Sequence, residues 1–335
     1  MIQVNSLVKR YSGNTVLDNL SFTIGDRGIH GLLGTNGAGK STTMNILTGC
    51  IPATSGSVLI DGHDIATEPT EVKRRIGYLP EHPPLYPDMT PYEYLVFVAE
   101  AKKVSYDRLY RQVEEAMELT GIDGVRSRLI RNLSKGYLQR IGIAQTLLGN
   151  PDIIILDEPT SGLDPKQLTE IRGLIKMLGK IKTVIISSHI LAEISEICDD
   201  VIIIAHGKLV ANDTIANLEN RMNASRSIRL SVRGKEEEVL PALGHINGIT
   251  GIETLDQKHE GVLEIRIGHR SNIEVRDFIF SSLAEIHAPI LSMENESASL
   301  EDVFLALTKE PEKPDPEQEP AKKSLFGRKG KEDKD

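Results

Sequence analysis

The run Gly28 to Thr42, GIHGLLGTNGAGKST, holds the residues best spaced for chemistry: an apolar strand enters a glycine-rich turn that closes on Lys-Ser-Thr. Gly34, Gly39, Lys40 and Ser41 satisfy the pattern G-x-x-x-x-G-K-[ST], with Ile29, Leu32 and Leu33 before it and the helix-compatible TTMNILTG after it. Glycines let the backbone curl with its N–H groups turned inward, so Gly34 to Gly39 reads as an anion nest. Lys40 adds a compact positive charge, Ser41 offers a hydroxyl to Mg²⁺, and a helix beginning near Lys40 aims its positive end at the same place. One ligand class suits all of these features, a nucleoside triphosphate with magnesium.

A second group lies far along the chain. Asp152 to Pro159, DIIILDEP, is a β-branched run that reads as a strand buried on both faces, and it ends in two carboxylates. At the C-terminal edge of an α/β sheet, Asp157 can hold Mg²⁺ through its waters while Glu158 orients and deprotonates an attacking water. The next strand, Thr183 to Ser188, delivers His189 to that edge, where it can sense a γ-phosphate. Ser134 and Gly136, in NLSKGY, suit a helix start that approaches an anion, although the segment alone reads equally as an ordinary capped helix. Tyr11, just before the turn Ser12-Gly13-Asn14, can stack on a purine base or simply pack at a strand end.

These side chains need a parallel sheet with short connections. Strands are expected in residues 2 to 24, Gly56 to Gly62 and Ile76 to Leu79, the last leaving through the proline cluster Pro80-Glu81-His82-Pro83-Pro84. From Thr90-Pro91 to about Leu129 the pattern is helical, and after Ser134 a helix carries Leu138, Ile141, Ala144 and Leu148 as one apolar stripe. At 335 residues the chain exceeds one ordinary domain, and a net charge of −9 argues against a primary role on nucleic acid. Cys50 and Cys198 stand apart with no partner motif and read as reduced, buried thiols. The start MIQVNSLVKRYSG lacks the build of a signal peptide, and no apolar run is long enough to span a bilayer, so a chain soluble on its own is expected.

In this order the segments over residues 1 to about 220 resemble the ATP-binding subunit of an ABC transporter. The resemblance implies that Tyr11 stacks on adenine, that Gly34, Thr35, Asn36, Gly37, Ala38, Gly39, Lys40, Ser41 and Thr42 form the Walker A loop, and that Ile153 to Glu158 is the Walker B strand with its catalytic glutamate. It makes Ser161 to Asp164 the D-loop, His189 the switch histidine, and Ser134, Lys135 and Gly136 part of a signature motif that reads the γ-phosphate of a second subunit. Two departures stand out: Glu81 occupies the place of the usual glutamine near Mg²⁺ and water, and Lys135 and Tyr137 replace the first Gly and the Gln of LSGGQ. LSKGY, YLPE and the closing SLEDVFLALT are similar to ABC-2 type exporter subunits, the gliding-motility-associated one being the nearest likeness.

The resemblance implies an α/β P-loop NTPase of ABC type, with a mixed sheet core, an antiparallel β edge subdomain and a helical subdomain over residues 1–220. Residues 221–309 follow as a small α+β domain of βαββαβ order closed by a helix Leu300 to Leu307, and residues 310–335 as a disordered, charged tail. The function implied is that of a Mg²⁺-dependent ATPase that dimerises head to tail, as a homodimer or with a close paralogue. It would power a separate membrane-spanning permease from the cytoplasmic face of the membrane. Two other readings remain: a soluble ABC ATPase working on ribosomes or DNA, which usually carries two ATP-binding halves or a coiled-coil insertion, and a regulatory ATP-binding module, which would be expected to lack Glu158 or His189. This chain departs from both.

Overall fold

A computed structural model describes residues 1–222, 225–255, 261–270, 273–296 and 304. The central sheet has six strands in the order Lys208–Thr214, Asp200–Ala205, Gly28–Leu33, Thr183–Ser188, Ile153–Asp157 and Ile76–Leu79. All neighbours run parallel except the edge strand Lys208–Thr214, which pairs antiparallel. Every residue of Ile153–Asp157 is buried because both faces are covered. Successive side chains point to opposite sides: Ile153 and Ile155 join one core with Leu32, Met44 and Ile185, while Ile154 and Leu156 join the other with Leu33, Ile171 and Val184.

Over the first face lies an antiparallel sheet of four strands, ordered Asn14–Ile24, Ile2–Tyr11, Ser55–Ile60 and His63–Asp64. Its first hairpin turns on Ser12 and Gly13, both at positive φ, as a two-residue loop between twisted strands requires.

The helical layer is Pro91–Ala101, Tyr106–Thr120 and Lys135–Leu147. Thr90 opens the first with a complete capping box, Glu93 answering the N-cap backbone, a motif whose loss costs about 1 kcal/mol. The helix Lys135–Leu147 carries the expected stripe, Leu138, Ile141, Ala144 and Leu148 all packing on the helical core, and Ile143 faces the central sheet as well, so the helix is enclosed from two sides. Its terminal carbonyls of Gln145 and Leu148 accept bonds of 2.8 and 3.0 Å from Lys102 Nζ. Lys102 is exposed as a residue, yet its ammonium bonds both carbonyls, and burial pushes its pKa down to about 8.

A third sheet, Ile249–Leu255, Val262–Arg270, Ser225–Arg233 and Ile290–Glu296 in that order, is fully antiparallel, and with the helices Glu236–Gly244 and Arg276–Glu285 it follows the expected βαββαβ order around its own apolar cluster. Phe304 behaves otherwise than expected. It is buried with Ile194, Val201 and Leu218 beside the central sheet, not in the small domain that its segment was expected to close. The remainder of the expected helix Leu300 to Leu307 and the tail 310–335 lie outside the described residues. The cysteine expectation also needs correction: Cys50 is exposed, because it sits past the capping turn of the helix Lys40–Leu47, and Cys198 is half-buried. Among the described residues no helix is long and apolar enough to cross a membrane.

Candidate active site

The strand Gly28–Leu33 delivers its loop at the C-terminal edge of the central sheet, where the strands ending at Leu79, Asp157 and Ser188 also terminate. Gly34 passes so close to the neighbouring strand that a Cβ there would lie 2.4 Å from the Ile204 carbonyl oxygen. Gly39 caps the helix Lys40–Leu47 at φ +108°, a conformation open to glycine and costly for other residues, and no side chain caps the helix. The first N–H groups of that helix therefore face the cleft without a side-chain acceptor.

Lys40 is 7% exposed, and its Nζ donates to the loop's own carbonyls, Gly34 O at 2.8 Å and Thr35 O at 3.3 Å. Burial lowers its pKa, while the charges of Glu158, Asp157 and Glu81 act to raise it. Asp157 is pushed up from the usual carboxylate range, first by burial; the charge of Glu81 adds to this, and hydrogen bonds from Ser187 and Ser41 oppose it. Three carboxylates thus share the neighbourhood of one lysine.

Glu158 sits at φ +49°, a left-handed conformation that costs a non-glycine residue about 1 kcal/mol. Its carboxylate meets His189 Nδ1 at 2.9 Å. Its N–H donates at 2.8 Å to Ser187 Oγ, whose own hydroxyl donates to Asp157 Oδ1. Ser187 is fully buried and bridges the two acidic residues, a role not among the expectations from the sequence. The parallel register sets Asp157 beside Ser187. A signal was available in TVIISS, since two hydroxyls closing an otherwise apolar buried strand call for polar partners.

Thr35, Asn36, Gly37, Gly39, Lys40, Ser41, Thr42, Glu81, Glu158 and His189 line one cleft of about 330 Å³, together with Val16 and Ser161. Ala38 is buried, with its backbone N–H on the Thr35 carbonyl at 3.1 Å. Tyr11 stands outside this lining, 45% exposed, with Lys9 Nζ 4.8 Å from its ring centroid. Ser134, Lys135 and Gly136 are also outside it. Ser134 is the N-cap of Lys135–Leu147 but its hydroxyl makes no capping bond. Lys135 lies against Gly162 and Gly136 against the Gln167 side chain, so this segment meets the loop 161–164 of its own chain. Asp164 begins the helix Pro165–Gly179, its Oδ1 accepting from Gln167 N at 2.9 Å.

The ABC transporter family profile matches residues 17–161. The chain is 32% identical to the linearmycin resistance ATP-binding protein LnrL of Bacillus subtilis, over 92% of this chain and 98% of the relative. It is 33% identical to the bacitracin transport ATP-binding protein BcrA of Bacillus licheniformis, over 92% and 97%. The chain belongs to the ABC transporter family, among its ATP-binding subunits. Two solved cassettes share its fold. One, an ATP-binding subunit of an ABC transporter, has a TM-score of 0.60 at 29% identity, covering 66% of this chain and 92% of its own. The other, a dimeric ATP-binding cassette in a post-hydrolysis state bound to ADP and Pi, has a TM-score of 0.58 at 26% identity, covering 64% and 98%. The relatives named here are a resistance and a transport ATP-binding protein; the narrower gliding-motility likeness has no counterpart among them.

Within this cassette the donor set suits magnesium. The Ser41 hydroxyl and the Asp157 and Glu81 carboxylates are hard oxygen ligands, and among the described residues no three His, Cys, Asp or Glu side chains form a cage. Magnesium held by few carboxylates and completed by phosphate and water fits that arrangement.

Proposed function

We propose that this cassette hydrolyses MgATP in a head-to-tail dimer at the cytoplasmic face of a membrane and drives a separate permease that exports its cargo. The observation that carries the reading is the Glu158–His189 contact of 2.9 Å in the same cleft as the glycine loop and Lys40. In this reading the loop N–H groups and Lys40 hold the β- and γ-phosphates, and Glu158 takes the proton of the attacking water. His189 orients Glu158 and faces the γ-phosphate. Ser41, Asp157 and Glu81 would hold Mg²⁺, which neutralises charge building on the phosphate oxygens. Tyr11 is assigned to the adenine, and Ser134, Lys135 and Gly136 to the γ-phosphate of the second subunit. The dimer is supported by the dimeric cassette of the same fold, and export by the resistance and transport names of the relatives.

Glu81 offers a sharper check. A metal ion accepts an amide oxygen in place of a carboxylate, and removing this charge also relieves Asp157 of one of the influences that raise its pKa. Glu81→Gln is therefore expected to change steady-state turnover only a few-fold. A loss of several orders of magnitude would give Glu81 a direct part in the chemistry.

The partner surface follows from the loop after Glu81. Leu85 packs half-buried against the helical core, whereas Tyr86 is 48% exposed and meets the rings of Tyr94 and Phe97 edge-on at 6.0 and 5.4 Å. Tyr86 with the exposed Phe97 is an apolar patch on which a helix of the membrane subunit can rest. Tyr86→Glu should leave MgATP hydrolysis by the purified chain nearly intact and release the protein from the membrane fraction of its host. Equal loss of both properties would make the loop structural.

A further inference from the structure

Glu193, in the helix Leu191–Ile197, is 4% exposed. One of its oxygens, Oε2, accepts from Thr160 Oγ1 at 2.7 Å and from Ser188 Oγ at 3.0 Å. The other lies 3.9 Å from Arg172, a contact too long for a hydrogen bond, and Arg172 itself is engaged by Glu196. Thr160 is two residues beyond Glu158, and Ser188 directly precedes His189. A single carboxylate oxygen thus ties together the chain segments that carry the two side chains facing each other across the cleft.

Pairing alone leaves this carboxylate incompletely compensated. A buried carboxylate loses several kcal/mol of hydration and recovers it only with close, complete pairing. Here the nearest cation, Arg172, stands at 3.9 Å, within ion-pair range but outside hydrogen-bond reach, it is shared with Glu196, and its Nε is buried without a partner among the described residues. The clamp lies where geometry is most demanding, because Glu158 is held at φ +49° and such a conformation persists only where its surroundings over-determine it. The Ser187 bridge fixes the Glu158 backbone from one side. Glu193 fixes the outgoing chain at Thr160 and the His189 side at Ser188.

We infer that Glu193 is a positioning residue for ATP hydrolysis, which holds Glu158 and His189 in register by clamping Thr160 and Ser188 on one carboxylate oxygen. The inference rests on the proposed role of Glu158; Glu193 itself does not line the cleft.

The test is steady-state MgATP hydrolysis by the full chain, with equilibrium binding of a fluorescent ATP analogue. A misplacement of about 1 Å in a reacting group can cost about 100-fold, so Glu193→Ala should lower kcat by about 10- to 100-fold. KM and analogue affinity should stay within about twofold, since the phosphate cradle does not depend on the clamp. Glu193→Gln keeps an oxygen for both hydroxyls and should recover most of kcat. Adding Thr160→Val to Glu193→Ala should cost little more, because both remove the same bond. A merely structural role would lower the unfolding midpoint and leave kcat of the folded protein unchanged. If Glu193→Ala does not fold, the Thr160→Val, Ser188→Ala variant carries the same expectation. An unaltered kcat in the folded variant, with the unmodified chain hydrolysing ATP, overturns the clamp alone. No hydrolysis by the unmodified chain, or full activity in Glu158→Gln, overturns the reading beneath it.

Discussion

Lys40→Ala is expected to abolish ATP binding at concentrations that saturate the unmodified protein. Lys40 is buried in the lining of the cleft, and the charges of Glu158, Asp157 and Glu81 all act on its ammonium. Remove it, and a triphosphate must enter a site with three nearby carboxylates and, among the described residues that line the cleft, no other lysine or arginine. A unit charge about 4 Å from its opposite contributes about 4 kcal/mol at an effective dielectric of about 20, so affinity should fall by at least about 100-fold. The loss has a structural component, because Lys40 Nζ also satisfies the Gly34 and Thr35 carbonyls, and thermal unfolding should be measured beside the titration. Tight nucleotide binding by a folded Lys40→Ala protein would sink the assignment of the cradle.

Glu158→Gln should separate binding from chemistry. The amide keeps the shape of the side chain and an oxygen facing His189 Nδ1, and the strained backbone and its bond to Ser187 are untouched. What is lost is the proton acceptor, and general-base catalysis contributes about 10²- to 10⁴-fold. Turnover should fall by that factor while ATP still binds and persists. The signature residues give this a second readout. Ser134, Lys135 and Gly136 do not line the cleft of their own chain, and the Ser134 hydroxyl makes no capping bond, so in the proposed dimer it is available to the γ-phosphate held by the other subunit. Glu158→Gln should therefore elute as a stable dimer with MgATP and as a looser or monomeric species with ADP. Adding Ser134→Arg places bulk and a cation where a small hydroxyl is needed, and the ATP-dependent dimer should disappear. Hydrolysis at the unmodified rate removes Glu158 as the base, and a dimer indifferent to Ser134→Arg removes the shared site.

Much of this was legible in local spacing. The cradle Gly34 to Ser41, the carboxylates closing Ile153–Asp157, His189 after its strand and the Thr90-Pro91 helix start are short-range patterns, each written by backbone conformation or a fixed offset within a few residues. The βαββαβ order of the third sheet came from periodicity in the same way. What could not be read along the chain are contacts between segments far apart in it. The parallel register that sets Ser187 beside Asp157 pairs positions 30 residues apart. The bonds from Thr160 and Ser188 to Glu193, the approach of Lys135 to Gly162, and the packing of Phe304 beside the central sheet depend on how helices and loops settle against it. The partial burial of Leu85 is likewise set by neighbours that no local pattern specifies. Residue types and offsets thus settled which loop and helix residues line the cleft with Lys40, because a loop and the helix after it are built within a few bonds of one another. The orientation of those groups waits on strand register and side-chain packing, which form only when distant segments close on a common core.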